Sequence, residues 1–346
     1  MSGKLVRLVC TAAMAVQAAT LTTAPATAVP EPREPAHRTL SDLLTDLQQL
    51  YRRAERATET YNATDEKLRA QRTEVARLDA ALARARLSLQ DSRGAAGRLA
   101  RQQYQGTSDI SPYVRLLLAR DPQRALDQGH VIGQLARERA ETLDRLTGTE
   151  HKAAELARKA RTALDRQLTL ARQQREQRDD VRARLTDVEE LLASLTPEQL
   201  AALAEFEKSG VDEAQRRLIS SGALGADHKP SDRGDRALRH ATRQLGKPYE
   251  WGAEGPETYD CSGLTSEAWA RAGTPVPRTS QEQWARLPRV PLTELRPGDL
   301  VVYYPDATHV AIYQGDGKVI QAPRTGERVK VSPIAAHPIL GAVRPG

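Results

Sequence analysis

A seven-residue repeat constrains this chain more than any other feature. Leu68, Val75, Leu82 and Leu89 step by seven, with Gln71, Leu78, Ala85 and Ser92 in the companion position. A second stretch does the same. Leu143, Ala157, Leu164, Ala171, Leu185 and Leu192 hold one position, and Leu146, Ala153, Ala160, Val181 and Val188 hold the other. Seams of this period close helices on one another as a coiled coil. Glu150, Gln167, Gln174 and Arg178 interrupt the second seam, which weakens it and helps to set register. Between the stretches Gly94, Gly97 and Gly106 break the pattern. Pro112 after Ser111 and Pro122 after Asp121 each read as the first turn of a short helix. Val114, Leu116, Leu117 and Leu118 supply a small apolar cluster there. The expectation for residues 38–195 is a long coiled-coil helical hairpin with a helical tip, antiparallel within one chain, with a dimer as the alternative.

Composition places the compact part elsewhere. The 346 residues are 39% hydrophobic and only 4% aromatic, with one Phe, below the roughly 45–50% apolar content of globular chains. All three Trp (Trp251, Trp269 and Trp284) follow residue 250. Large aromatics dominate core burial, so the compact domain is expected at the C-terminal end.

The other end reads as a secretory leader. Lys4 and Arg7 precede an apolar, Ala-rich run from Leu8 to about Leu21, and Ala26-Thr27-Ala28 supplies the small residues of a cleavage site. Residues 1–28 are therefore expected to be removed, and the product to be secreted, extracellular or in the cell wall. Removal takes Cys10 away and leaves Cys261 as the sole cysteine. An exported chain with one thiol forms no internal disulfide. A nucleophile is one reason to keep that thiol, and an inert buried Cys is the other. No run of about 18 apolar residues follows the leader, so no membrane span is expected. The net charge is +6. Export and the lack of a nucleic-acid motif argue against nucleic acid as partner, and a basic surface favours anionic wall polymers.

Residues 196–232 read as short helices and a linker. Thr196-Pro197-Glu198 starts a helix running to about Ser209-Gly210, and a second short one covers Asp212 to Ser220. The polar, Gly- and Pro-containing stretch Gly225–Asp235 is the expected boundary, with a domain at 233–346. That domain opens with a helix over 233–246. Cys261 then starts a helix that reaches Arg271 and closes at Gly273. Pro275 to Pro291 reads as irregular. Strands follow at Leu300 to Tyr304, His309 to Gln314, Lys318 to Gln321 and Val329 to Val331, with Gly315-Asp316-Gly317 as a hairpin turn. The fold class expected is α+β, with the Cys-bearing helix against an antiparallel sheet.

That placement has chemical meaning. Free backbone N–H groups and the dipole at a helix N-terminus stabilise negative charge, and a thiolate there can fall from about 8.5 to about 3.5–7.5 in pKa. His309 begins a strand and Gln321 ends the next. If the two strands pair, the Gln321 amide oxygen can orient the His309 ring, a papain-like arrangement of Cys, His and a polar residue. A single Cys and unclustered His residues make no zinc site, and no cofactor is implied.

These residues carry a resemblance. Gly246-Lys247-Pro248-Tyr249 with Trp251-Gly252, then Tyr259-Asp260-Cys261-Ser262-Gly263-Leu264, Pro277-Arg278-Thr279-Ser280, Arg296-Pro297-Gly298-Asp299-Leu300, His309-Val310-Ala311-Ile312-Tyr313 and Gln321-Ala322-Pro323-Arg324-Thr325-Gly326 resemble the NlpC/P60 family of cell-wall cysteine peptidases, in order and in spacing. The resemblance covers about a third of the chain, and secreted actinobacterial members pair such a domain with a helical region. It implies a hydrolase of peptidoglycan stem peptides that cuts between D-γ-glutamate and a diamino acid, typically diaminopimelate. It implies Cys261 as nucleophile, His309 as base and Gln321 in the third position, where relatives often carry His. It also implies Tyr249 beside the Cys, for substrate or oxyanion, and Asp260 and Ser262 at the polar end of the substrate. A muramoyl-L-alanine amidase, an acyltransferase and a non-catalytic division scaffold are the rival readings. The helical arm is expected to cover the site, to recruit a cell-division or wall-synthesis protein, or to space the domain from the membrane.

Overall fold

The computed structural model describes residues 39–105, 114, 122–226 and 228–346. The expected leader, and nearly all of the expected hairpin tip, lie outside the described residues. Residues Leu40–Gly346 form one compact unit.

Helices α1 (Leu40–Gln105) and α2 (Pro122–Ala193) lie antiparallel along one another. Leu43 and Leu47 meet Val188 at one end, and Leu78 and Leu82 meet Ala160 and Ala163 further along. The Gln71 side-chain amide donates to the Ala163 carbonyl at 2.9 Å, and Arg93 pairs with Glu150. The small alanines of α2 let the leucines of α1 approach closely. The expected frame of α2 is half right. Ala153, Ala160, Val181 and Val188 are buried, whereas Leu143 and Leu164 are exposed. The other seam row lies one residue earlier, at Leu156 and Ala163. Leu156-Ala157 and Ala163-Leu164 are adjacent apolar pairs, so the sequence serves either frame and packing selects one. Gly94 and Gly97 do not end α1. Each costs about 1 kcal/mol relative to Ala, which a 66-residue helix rich in strong helix formers absorbs.

Helix α3 (Pro197–Ser220) starts on a capping box in which Thr196 and Gln199 satisfy each other's backbone N–H. It runs unbroken through Gly210, where two short helices were expected. Packing at both ends offsets the glycine: Leu203 joins Leu43, Leu47 and Val188, and Leu218 lies against the sheet. The front of the expected linker is also packed, since a Cβ on Gly225 would run into the Thr293 backbone.

Helices α4 (Asp232–Thr242), α5 (Cys261–Arg271) and α6 (Ser280–Arg286) precede or flank a six-stranded antiparallel sheet. Its strands are β1 (Arg289–Val290), β2 (Leu300–Tyr303), β3 (His309–Gly315), β4 (Lys318–Gln321), β5 (Lys330–Pro333) and β6 (Ile339–Val343), in the order β1-β6-β2-β3-β4-β5. Side chains alternate between its faces. Leu300, Val302, Val310, Ile312 and Ile320 pack with Leu264, Ala268 and Trp269 of α5. Val301, Tyr303, Ala311, Tyr313 and Val319 form the opposite cluster, which Leu218 and Leu224 cover. The sheet is thus sandwiched between α4–α5 and the end of the arm. Strands β1 and β6 and helix α6 were not expected from the sequence; each has seven residues or fewer, too short to display a period.

Candidate active site

Asp260 sets the local geometry. It is the N-cap of α5, with extended backbone at φ −90° and ψ 177°. Its Oδ1 accepts from the Gly263 N–H at 2.6 Å and its Oδ2 from the Gly252 N–H at 3.0 Å. The Arg278 guanidinium donates to both oxygens, at 3.1 and 2.7 Å. This charge-assisted fork joins the loop before the helix, the helix start and the residues before α6. Gly263 has no alternative, because a Cβ there would run into the Ala253 carbonyl oxygen. Cys261, the first residue of α5, is held at the point where the helix field favours a thiolate.

Strands β3 and β4 pair in antiparallel register, Ile312 opposite Ile320. This brings the start of one to the end of the other. Gln321 Oε1 lies 2.6 Å from His309 Nε2. An amide oxygen only accepts, so the proton sits on Nε2 and the Nδ1 lone pair is free to act as a base. Nδ1 has no hydrogen-bond partner. Burial pulls the His309 pKa down to about 4, against the lift from the Gln321 bond, so the ring is neutral. Tyr303 and His337 hem it in, with ring centres 5.7 and 5.0 Å away. Tyr249 shares the core cluster of Cys261. Its phenol is pushed well up by burial, then by the proximity of Cys261.

The structure therefore gathers Tyr249, Asp260, Cys261 and Ser262 at the front of α5, with His309 and Gln321 on the sheet. It adds residues that were not singled out. Arg278 and Ser280 lie in a quoted motif without an assigned role, and His337 lies beside the base. Of the three roles expected for the arm, covering the site matches the structure, where α1 crosses it; the residues it uses were not singled out. Glu59 Oε1 accepts from the Ser262 hydroxyl at 2.7 Å, and its Oε2 accepts from the Ser280 N–H at 2.7 Å and the Ser280 hydroxyl at 2.9 Å. Asn62 donates to Asp260 Oδ2 at 3.0 Å. Glu55 Oε1 stands 3.7 Å from His309 Nδ1. The only hint in the sequence is that Glu55, Glu59 and Asn62 recur at i, i+4 and i+7, the spacing of one helix face. Burial raises the Cys261 thiol well above its ordinary pKa, and Glu59, Asp260 and Glu55 add to this. The thiol is neutral under the arm.

A cysteine at a helix N-terminus, set against an antiparallel sheet that carries a Gln-bonded histidine, defines a papain-like α+β domain. Residues 246–340 match the NlpC/P60 family, which marks this part of the chain as an NlpC/P60 domain. A probable endopeptidase of Corynebacterium glutamicum is 40% identical over 132 residues, covering 38% of this chain and 63% of that protein. The probable endopeptidase p60 of Listeria welshimeri is 44% identical over 91 residues, 26% of this chain and 17% of that one. The chain thus spans less than two thirds of the length of these curated relatives. Among solved structures, the NlpC/p60 domain of the peptidoglycan hydrolase SagA aligns at 30% identity and a TM-score of 0.31, covering 32% of this chain and 97% of that one.

Proposed function

We propose that this protein is a secreted endopeptidase that cuts peptidoglycan stem peptides between D-γ-glutamate and the diamino acid. The observation that carries the reading is the hydrogen bond from His309 Nε2 to Gln321, in an NlpC/P60 domain whose α5 begins with Cys261. With the site open, the Cys261 thiol passes its proton to His309 Nδ1, and the thiolate attacks the γ-carbonyl carbon. The Cys261 N–H and Tyr249 stabilise the oxyanion, a contribution of about 2.7–4 kcal/mol per donor in well-studied hydrolases. The imidazolium protonates the leaving amine of the diamino acid, and a thioester remains. His309 then takes a proton from water, which displaces Cys261 and frees the carboxyl group. Gln321 keeps the ring in the productive tautomer throughout. Asp260, fixed by Arg278, shapes the loop that meets the polar end of the peptide with Ser262. The leader delivers the chain to the wall, and the basic surface retains it near anionic polymers. The domain boundary falls between α3 and α4.

The test is mass spectrometry of purified peptidoglycan after incubation with the full chain, its Glu59→Ala variant and the Glu59→Ala/Cys261→Ala pair. Peptides that begin at the diamino acid are expected from Glu59→Ala and not from the pair. Products released at L-alanine would replace this reading with an amidase.

A further inference from the structure

Cys261 and His309 are 3% and 0% exposed, and the three residues that α1 lays over them, Glu55, Glu59 and Asn62, are 8%, 2% and 2% exposed. A peptide cannot reach a site so covered. We propose that α1 is a built-in plug, in which Glu59 occupies the hydrogen-bond donors of Ser262 and Ser280 and Glu55 blocks the base, so that the described structure is the shut state of the enzyme. The inference rests on the reading of Cys261 and His309 as the reacting pair.

The geometry is more specific than general contact. The three donors on the domain side all point to one place beside Cys261 and take both oxygens of a single carboxylate. The Ser280 N–H opens α6, where no carbonyl of its own helix can receive it, so Glu59 supplies the acceptor. Any substrate that places a carboxylate there competes directly with Glu59. Four positions along, Glu55 faces the unpartnered Nδ1 of His309, the atom a thiol must reach. One helix face therefore occupies a binding position and the base at the same time.

Ion pairs hold the plug at its two ends. Arg56 pairs with Asp306, just before β3, and Arg52 adds a contact at 3.7 Å. Arg69 pairs with Glu254, in the loop before the nucleophile, at 2.8 Å. Between them the Tyr61 ring meets Trp251 edge-on at 5.2 Å. Arg52 to Arg69 spans about 25 Å of helix, enough to bridge the groove from wall to wall. Arg324, just after β4, adds a brace to the arm by donating to Glu207 of α3 at 3.0 and 2.9 Å. The outer arginines are largely exposed, and exposed pairs are worth little singly, about 0–1 kcal/mol. Burying Glu59 near Asp260 opposes closure. The plug is accordingly held by many small terms and can open without unfolding α1, which keeps its packing on α2.

The experiment measures iodoacetamide alkylation in the full chain, read by peptide mass at Cys261. It compares wild type, Glu59→Ala, Arg56→Glu and, as control, Arg77→Ala on the outer face of α1. Glu59→Ala and Arg56→Glu are each expected to raise the rate about tenfold or more, as the open population grows, with Arg77→Ala unchanged. Arg56→Glu separates opening from electrostatics, because an added negative charge near the site would by itself slow thiolate formation. Its position on the helix surface also makes it the deciding variant if Glu59→Ala fails to fold. Native circular dichroism with wild-type alkylation in Arg56→Glu would overturn the plug. Faster alkylation with no peptidoglycan product would leave the plug standing and remove the endopeptidase reading.

Discussion

Gln321 Oε1 accepts a hydrogen bond from His309 Nε2 at 2.6 Å, across two strands and twelve residues of chain. The neutral amide fixes the tautomer but supplies no charge to an imidazolium. In an open-arm background such as Glu59→Ala, Gln321→Ala is expected to lower kcat by about ten- to a hundredfold, part of the 10²–10⁴ that a positioned base provides. Gln321→Glu is expected to restore orientation and to raise the His309 pKa, moving the acid limb of the kcat/KM profile to higher pH. A Gln321→Glu profile that stays at the wild-type pH would separate Gln321 from the base.

Much of this pair was legible because hairpin strands carry a simple period. Two apolar strands around Gly315-Asp316-Gly317 force their outer ends together, and Asp260 before Cys261 is a readable N-cap. The heptads gave α1 and α2, although the pairs Leu156-Ala157 and Ala163-Leu164 left the frame of α2 open. The plug was not legible residue by residue, because Glu59 meets Ser262 across 203 residues and nothing local marks its target. Helix α6 did carry a signal: Thr279 caps it and accepts from Glu282 N, the T-x-x-E start. Strand β1 has two residues and exists only because β6 pairs with it.

The Asp260–Arg278 pair carries a stability cost if broken on one side. Both side chains are buried, and removing one partner strands a charge at about 3–5 kcal/mol. Arg278→Ala is expected to lower the denaturation midpoint of the full chain accordingly. Adding Asp260→Asn should recover part of the loss, since Asn also caps helices and carries no charge. Equal midpoints for Arg278→Ala and wild type would show the pair to be dispensable.

Two helical glycines should respond to alanine with opposite signs. At Gly210 a Cβ meets nothing within 4 Å, so Gly210→Ala is expected to stabilise α3 by about 0.5–1 kcal/mol. At Gly263 the Cβ meets the Ala253 carbonyl. Gly263→Ala is expected to cost about 1–3 kcal/mol despite the better propensity of Ala. Thermal unfolding of the two variants checks both signs at once.

Closure of the plug should depend on pH through Glu55. Burial raises this carboxyl to about 8 from an ordinary 4.5, with Glu59 and Asp306 adding to the rise and Arg324 and Arg52 opposing it. Glu59 is raised too, by burial and by Asp260. A raised acid favours the shut state fully below its ordinary value, and that contribution is lost as pH rises through its shifted value. His309 acts in the other direction. Its pKa is depressed to about 4 from 6.5, so its contribution is present above 6.5 and lost as pH falls through about 4. The two oppose each other between 4.5 and 6.5, and above 6.5 the contribution of the glutamates continues to fall. The plug is expected to loosen from about pH 6.5 to 8. The Ser280 amide reports it directly, because its N–H donates to Glu59 in the shut state. Its hydrogen-exchange protection, corrected for the intrinsic rate, should fall across that range, and Glu55→Gln should flatten most of the fall. Protection that rises with pH would show that the buried carboxyls do not govern the arm.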